Sequence, residues 1–306
     1  MAHGVHSERL TVGDLAFVRH AFARPHVDPV NVFVIGSTVI DTGHPSEPTL
    51  RWFRDQEELD RVVLTHSHVD HVGASIGLKS IARLPHVAFQ GVFDELTDLE
   101  ARMARMRDHL HGSGNSEGYP QSFVSEEFPP DLPHYDVTQS TSVSDGDTID
   151  IDGMRFEVLH TPGHEYNHLS LWCPSSEVAF VGDAVMPSAR FDVGVVNTSV
   201  GDYLETLERL SELGAEVLIP SHGDPITDVS SFIENCLTNV NETIDQVQTV
   251  TDRLRDPVDL REVAVEVFEP ESGMAAKYFQ DVTAAYVRYL DDDGSLSLID
   301  TSGETR

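Results

Sequence analysis

Residues Thr65 to Gly73 read THSHVDHVG, a run that sets three histidines and an aspartate (His66, His68, Asp70 and His71) almost side by side. No other stretch constrains the fold as tightly, because four such donors can act together only on a rigidly held turn of backbone. The preceding apolar run Val62-Val63-Leu64 reads as a buried strand that stops at a site. An extended segment of period two sends His66 and His68 to one side, and a turn then brings Asp70 and His71 back. Imidazole nitrogen and carboxylate oxygen at this density suit a first-row divalent ion. The plain alternative is a solvated loop rich in histidine, and the downstream sequence argues against it.

Three more candidates recur in matching contexts. His164 lies in HTPGH (His160 to His164), Asp183 in FVGDA (Phe180 to Ala184) and His222 in PSHG (Pro220 to Gly223). Each follows an apolar stretch and sits beside glycine, as expected of ligands on loops at strand ends. In this order the pieces H-x-H-x-D-H, Gly-His, Gly-Asp and a late His resemble the metallo-β-lactamase superfamily. The likeness spans residues 28 to 225, and the HTPGH and FVGDA pairing is similar to its glyoxalase II branch. The resemblance implies that His66, His68 and His164 hold one metal, that Asp70, His71 and His222 hold a second, and that Asp183 bridges them.

Two divalent ions are thus implied, zinc in first place, with iron or manganese accepted by the same ligands according to supply. A water between two such ions has its pKa drawn from ~15.7 toward ~7, which makes hydroxide available for attack on a carbonyl or phosphoryl centre. Asp70 is the candidate catalytic residue, orienting the nucleophile or passing its proton to the leaving group. His160 and His168 flank a ligand motif without matching a ligand position, so orientation of His164 or a structural hydrogen bond is expected of them. His44, after Asp41-Thr42-Gly43, reads as a loop histidine near the cleft.

Alternating strand and helix runs predict an α+β/α/β arrangement of two sheets between outer helices. The resemblance implies the same four-layer αββα sandwich. Expected strands include Leu15 to Val18, Asn31 to Ile35 and Thr38 to Asp41, with Gly36-Ser37 as a tight hairpin turn. Thr148 to His160 reads as a hairpin turning at Asp152-Gly153. Helical spacing is read over Glu47 to Leu59, Gly73 to Leu84, Phe93 to Leu110 and Asp202 to Leu213. Gly112 to Pro133, rich in Gly, Ser and Pro, is either a substrate-facing flap or a solvent loop.

A catalytic unit over 1–250 and a small C-terminal unit over 251–306 are expected. In the latter, Val258 to Phe268 and Met274 to Leu290 show helical apolar faces and Ser295 to Ile299 a strand. That order resembles a winged-helix-like appendage. From Asp256 to the C-terminus 12 acidic residues face 4 basic ones, which opposes phosphate binding and suggests packing or homodimer contacts.

The charge is extreme. Against 52 acidic residues stand 20 basic ones, a net −32, and only Lys79 and Lys277 are lysine. Acid spread along the whole chain suggests a halophilic protein, since at 1 M salt the Debye length of ~3 Å screens self-repulsion. Nucleic acid and anionic membranes are not attracted to such a surface, so a small-molecule substrate is expected. Cys173 and Cys236 lie far apart and read as reduced structural residues. With no signal-peptide pattern and no long apolar run, a cytoplasmic address is expected.

The leading expectation is therefore a metal-dependent hydrolase of a carboxylic thioester, ester or lactone. A phosphodiesterase or endoribonuclease on the same metals is the first rival. A mononuclear-iron enzyme that oxidises sulfur is the second, and it would leave Asp70, His71 and His222 idle.

Overall fold

The computed structural model describes residues 5–24, 27–97, 132–187, 199–254, 258–270, 273–291 and 298–299. A seven-stranded sheet runs in spatial order β1 (Val5–Val12), β2 (Leu15–Arg24), β3 (Val27–Ile35), β4 (Thr38–Ile40), β5 (Arg61–Leu64), β6 (Pro85–Phe89) and β7 (Gln139–Val143). A five-stranded sheet follows with β8 (Thr148–Ile151), β9 (Met154–His160), β10 (Leu169–Cys173), β11 (Val178–Gly182) and β12 (Val217–Pro220), in spatial order β12-β11-β10-β9-β8.

Strands buried on both faces feed two cores at once, by the period-two alternation of their side chains. In β5, Val63 enters the core between the sheets, while Val62 and Leu64 enter the outer one. In β11, Val178 and Phe180 point inward, and Ala179 and Val181 outward. At the centre Phe17 and Phe33 meet Phe180 edge-on, with ring centroids 5.1 and 5.3 Å apart. Such aromatic pairs add about 0.5–1.5 kcal/mol each beyond the area they bury.

Helices cover both outer faces. The first sheet carries α1 (Glu47–Arg54), α2 (Val69–Gly77), α3 (Lys79–Ala82) and α4 (Val92–Thr97). The second carries α5 (Val200–Glu212), α6 (Val229–Arg253), α7 (Leu260–Phe268) and α8 (Gly273–Leu290). The four-layer αββα sandwich expected from the sequence is the observed fold. Among the described residues no helix is long and apolar enough to cross a membrane.

The two predicted hairpins are present. Ile35 pairs with Thr38 across Gly36-Ser37, and Ile151 with Met154 across Asp152 and Gly153, both at positive φ. Several boundaries differ from expectation. The expected helix from Gly73 starts four residues earlier and breaks at Leu78, whose extended φ of −139° and ψ of 114° separate α2 from α3. Helix α1 stops at Arg54 instead of Leu59. Strand β1, unpredicted, is an edge strand whose residues are all exposed or half-buried, so its hydrophobic signal is weak. The expected helix from Phe93 and the Gly112 to Pro133 stretch, read as a flap or a solvent loop, lie almost wholly outside the described residues.

Toward the C-terminus, α7 and α8 are flanked by a two-residue parallel pairing of β13 (Val258–Asp259) before them with β14 (Leu298–Ile299) after them. Their buried residues Leu260, Val263, Val282 and Tyr286 belong to the same apolar cluster as Tyr203 and Leu207 of α5 and Val247 of α6. Packing is therefore continuous across residue 250.

Candidate metal centre

All seven candidate ligands converge where the carboxyl ends of β5, β11 and β12 meet the loop between β9 and β10. His66 and His68 follow the end of β5, and His68 is in extended backbone, as expected. Asp70 and His71, however, come back on the first turn of α2 and not on a simple turn. His68 is the N-cap of that helix and makes no side-chain capping bond, because its ring is turned into the cluster. Gly73 lets α2 lie against the loop after β4. A Cβ there would stand 2.3 Å from the Gly43 carbonyl oxygen and 2.4 Å from Pro45 nitrogen.

Two groups form. Ligand atoms of His66, His68, His164 and Asp183 lie within 4.8 Å of one another, as do those of Asp70, His71 and His222. Asp183 Oδ2 touches both groups. It lies 3.5 Å from His164 Nε2, 3.3 Å from His71 Nε2 and 3.6 Å from His222 Nε2. His68 Nδ1 is 3.1 Å from His164 Nε2, and His222 Nε2 is 3.3 Å from Asp70 Oδ2. Three atoms of these side chains are buried without a hydrogen-bond partner: His66 Nε2, His71 Nε2 and Asp183 Oδ1.

The outward ring nitrogens are tied down. His71 Nδ1 donates to Asp41 Oδ2 at 2.7 Å, and His222 Nδ1 to the Pro29 carbonyl at 3.1 Å. His66 Nδ1 stands 3.0 Å from Thr65 Oγ1. Asp41, fully buried and at φ 58°, also accepts from the Thr65 amide at 2.8 Å, the Thr65 hydroxyl at 2.8 Å and Ser221 Oγ at 3.2 Å. One carboxylate thus ties the ends of β4, β5 and β12 together. Sequence reasoning placed Asp41 only at a strand end. Its partners lie 24, 30 and 180 residues away, and no local pattern announces them.

His168 is a structural histidine, one of the two roles expected of it. The Asp183 amide donates to its Nε2 at 3.0 Å, so Nδ1 carries the proton and faces Thr161 Oγ1 at 2.8 Å. Gly182 at φ 52° allows that approach, since a Cβ would come within 2.5 Å of His168 Nε2. His160 donates to the Tyr166 carbonyl at 2.8 Å and stacks on Phe89 at 4.2 Å, away from the cluster. His44 lies in the loop between β4 and α1, as expected, and is buried. Glu165, which sequence reasoning passed over, is buried with Oε2 3.3 Å from His68 Nε2.

Electrostatics divide the histidines. Burial, then the neighbouring imidazoles, hold His66 and His168 well below the ordinary histidine range, and His164 is lowered to about 4. Burial opposes charge at His71 too, but Asp183, Asp41 and Asp70 together override it and raise that group well above its usual value. His222 is raised in the same way, by Asp183 and Asp70 against burial. Asp183 is held ionised despite burial, His71 and His222 being the chief causes. Imidazoles and ionised carboxylates therefore face one small space that attracts positive charge.

The sequence matches the family model described as the metallo-beta-lactamase superfamily over residues 26–222. A probable metallo-hydrolase of Bacillus subtilis is 23% identical over 252 residues, 76% of this chain and 77% of that protein. A hydroxyacylglutathione hydrolase of Haemophilus influenzae is 28% identical over 208 residues, 62% of this chain and 82% of its own. Among solved structures, a metallo-beta-lactamase family protein of Thermus thermophilus superposes with a TM-score of 0.74 at 21% identity, covering 91% of this chain and 94% of that one.

Proposed function

The chain belongs to the metallo-beta-lactamase superfamily and is a metallo-hydrolase of that family; from that premise we propose that it cleaves a carboxylic thioester, ester or lactone with two divalent ions. His66, His68 and His164 would hold one ion, Asp70, His71 and His222 the other, and Asp183 both. The observation that carries this reading is the shared position of Asp183 Oδ2, 3.3 to 3.6 Å from histidine nitrogens of both groups.

The donor set fits the ions. Atoms bound tetrahedrally at 2.0–2.1 Å stand about 3.3 Å from one another, and most of the donor separations here fall between 3.1 and 3.8 Å. The buried, unpartnered nitrogens of His66 and His71 supply the lone pairs such ions require. Imidazole suits zinc and iron, and the carboxylates also admit manganese. Once bound, the ions lower the pKa of water toward neutrality and polarise an acyl carbonyl.

The protein's own residues do the rest. Asp41 and the Pro29 carbonyl hold His71 and His222 in the tautomer that presents Nε2 to the centre. Asp70, whose side chain is 13% exposed, would accept a proton and return it to the leaving group. The name of the Haemophilus relative, a hydrolase of hydroxyacylglutathione, favours acyl transfer to water over phosphodiester cleavage. A mononuclear iron site fits less well, since Asp70, His71 and His222 also converge.

The test joins metal analysis of protein purified without added metal to a panel of thioester, lactone and phosphodiester substrates. About two ions per chain and thioester or lactone turnover lost to chelation are expected. Turnover confined to the phosphodiester, or acyl hydrolysis that survives complete metal removal, would overturn the reading.

A further inference from the structure

We propose that Glu165 is a positioning residue for the pocket of His66, His68, His164 and Asp183, and that it acts by fixing the His68 ring. The inference rests on the dinuclear reading above. The two nitrogens of His68 face opposite ways. Nδ1 points to His164 Nε2 at 3.1 Å, and Nε2 points to Glu165 Oε2 at 3.3 Å. The Glu165 side chain is only 4% exposed, and a carboxylate so enclosed is costly unless a donor answers it. His68 Nε2, 3.3 Å away, is the donor offered to it, and a proton held there leaves Nδ1 unprotonated toward the pocket.

This arrangement repeats, in the first pocket, what Asp41 does for His71 in the second. His68 needs the help most, because its side chain is 28% exposed where those of His66 and His71 are fully enclosed. Glu165 is itself braced. Its Oε1 accepts from the Tyr166 amide at 3.3 Å, and the Tyr166 hydroxyl donates to Glu95 Oε1 at 3.4 Å. The His160 bond to the Tyr166 carbonyl and its stack on Phe89 anchor the same segment to β6. A carboxylate on a braced loop can set a ring angle, which a solvated one could not.

The test is a cobalt(II) titration of the full-length protein against a competing chelator, for wild type, Glu165→Gln and Glu165→Ala. In Glu165→Gln one of two cobalt ions should be released at about tenfold to a hundredfold lower chelator concentration. The other should follow the wild-type curve, and the visible absorption of the weakened ion should change. Glu165→Ala should show the same split, at least as large; if it does not fold, the Gln variant decides alone. Wild-type curves for both ions in Glu165→Gln, or equal loosening of both, would overturn the role of Glu165. A wild-type protein that takes up no cobalt would overturn the metal reading itself, so the two failures are distinguishable.

Discussion

Replacing Asp41 with Asn isolates one charge without disturbing the backbone, because Asn tolerates the left-handed conformation that Asp41 adopts at φ 58°. Both carboxylate oxygens face only donors: the Thr65 amide and hydroxyl, His71 Nδ1–H and Ser221 Oγ. An amide must turn its NH2 toward one set or the other. Facing the Thr65 amide, it leaves two buried donors opposed. Facing His71, it forces the imidazole proton onto Nε2, the atom beside Asp183. Either way a buried donor loses its acceptor, about 1–3 kcal/mol, and a charge-assisted bond weakens, for a total near 3 kcal/mol. For a chain of 306 residues the unfolding entropy is about 0.6 kcal/mol per kelvin, so Tm in chelator should fall by about 5 °C. With zinc present, a tenfold to hundredfold weaker site removes about 1.4–2.7 kcal/mol more, or roughly 2–4 °C. Calorimetry with and without zinc reads both steps. A variant that melts with the wild type in both conditions would refute the account of Asp41.

Asp183→Asn should remove the shared charge, take metal content from about two ions toward one or none and cut turnover by orders of magnitude; wild-type turnover would exclude a bridging role. The −32 net charge and two lysines predict a Tm that climbs steadily from dilute to multimolar KCl, and a flat curve would sink the halophile expectation. His86 is buried, and burial lowers it to about 4 from 6.5 although the Leu84 carbonyl pulls the other way. The unfolded chain therefore binds that proton more readily. The contribution of His86 is complete above about pH 6.5 and fades as pH falls toward 4, by up to about 3 kcal/mol. His86→Gln should lose less stability than wild type between pH 7 and 4, and parallel profiles would contradict the sign.

What the sequence disclosed and what it hid follow from range. The ligands were legible because the first four crowd into a short run after an apolar strand and the later three each follow an apolar stretch beside glycine, signals carried within a few residues. The strands β5, β10 and β11 were legible because burial on both faces leaves them almost continuously apolar, with Arg61 at the start of β5 and Ser170 in β10 the exceptions. Asp41 escaped because its work is done across 180 residues of chain. Glu165 escaped because the HTPGH motif ends at the histidine before it, although a carboxylate adjoining a ligand motif was the available sign. Helix α2 was placed late because Val69-Asp70-His71 was read only as a turn carrying donors. The break at Leu78 is a tertiary choice, made where Gly77 packs against Leu50 and Leu132.

The donors divide four to three between the halves of the molecule: His66, His68, Asp70 and His71 follow the first sheet, and His164, Asp183 and His222 the second. An ion shared through Asp183 would rivet one half to the other. Synthesis of the chain imposes an order on that rivet. The first pocket has its full set only once Asp183 has left the ribosome, and the second only once His222 has followed. From His71 the first four donors wait 93 residues for His164, the next one. Metal loading of both pockets would then wait until all twelve strands of the two large sheets have been made, and a product truncated before His164 would carry half a site with nothing to close it.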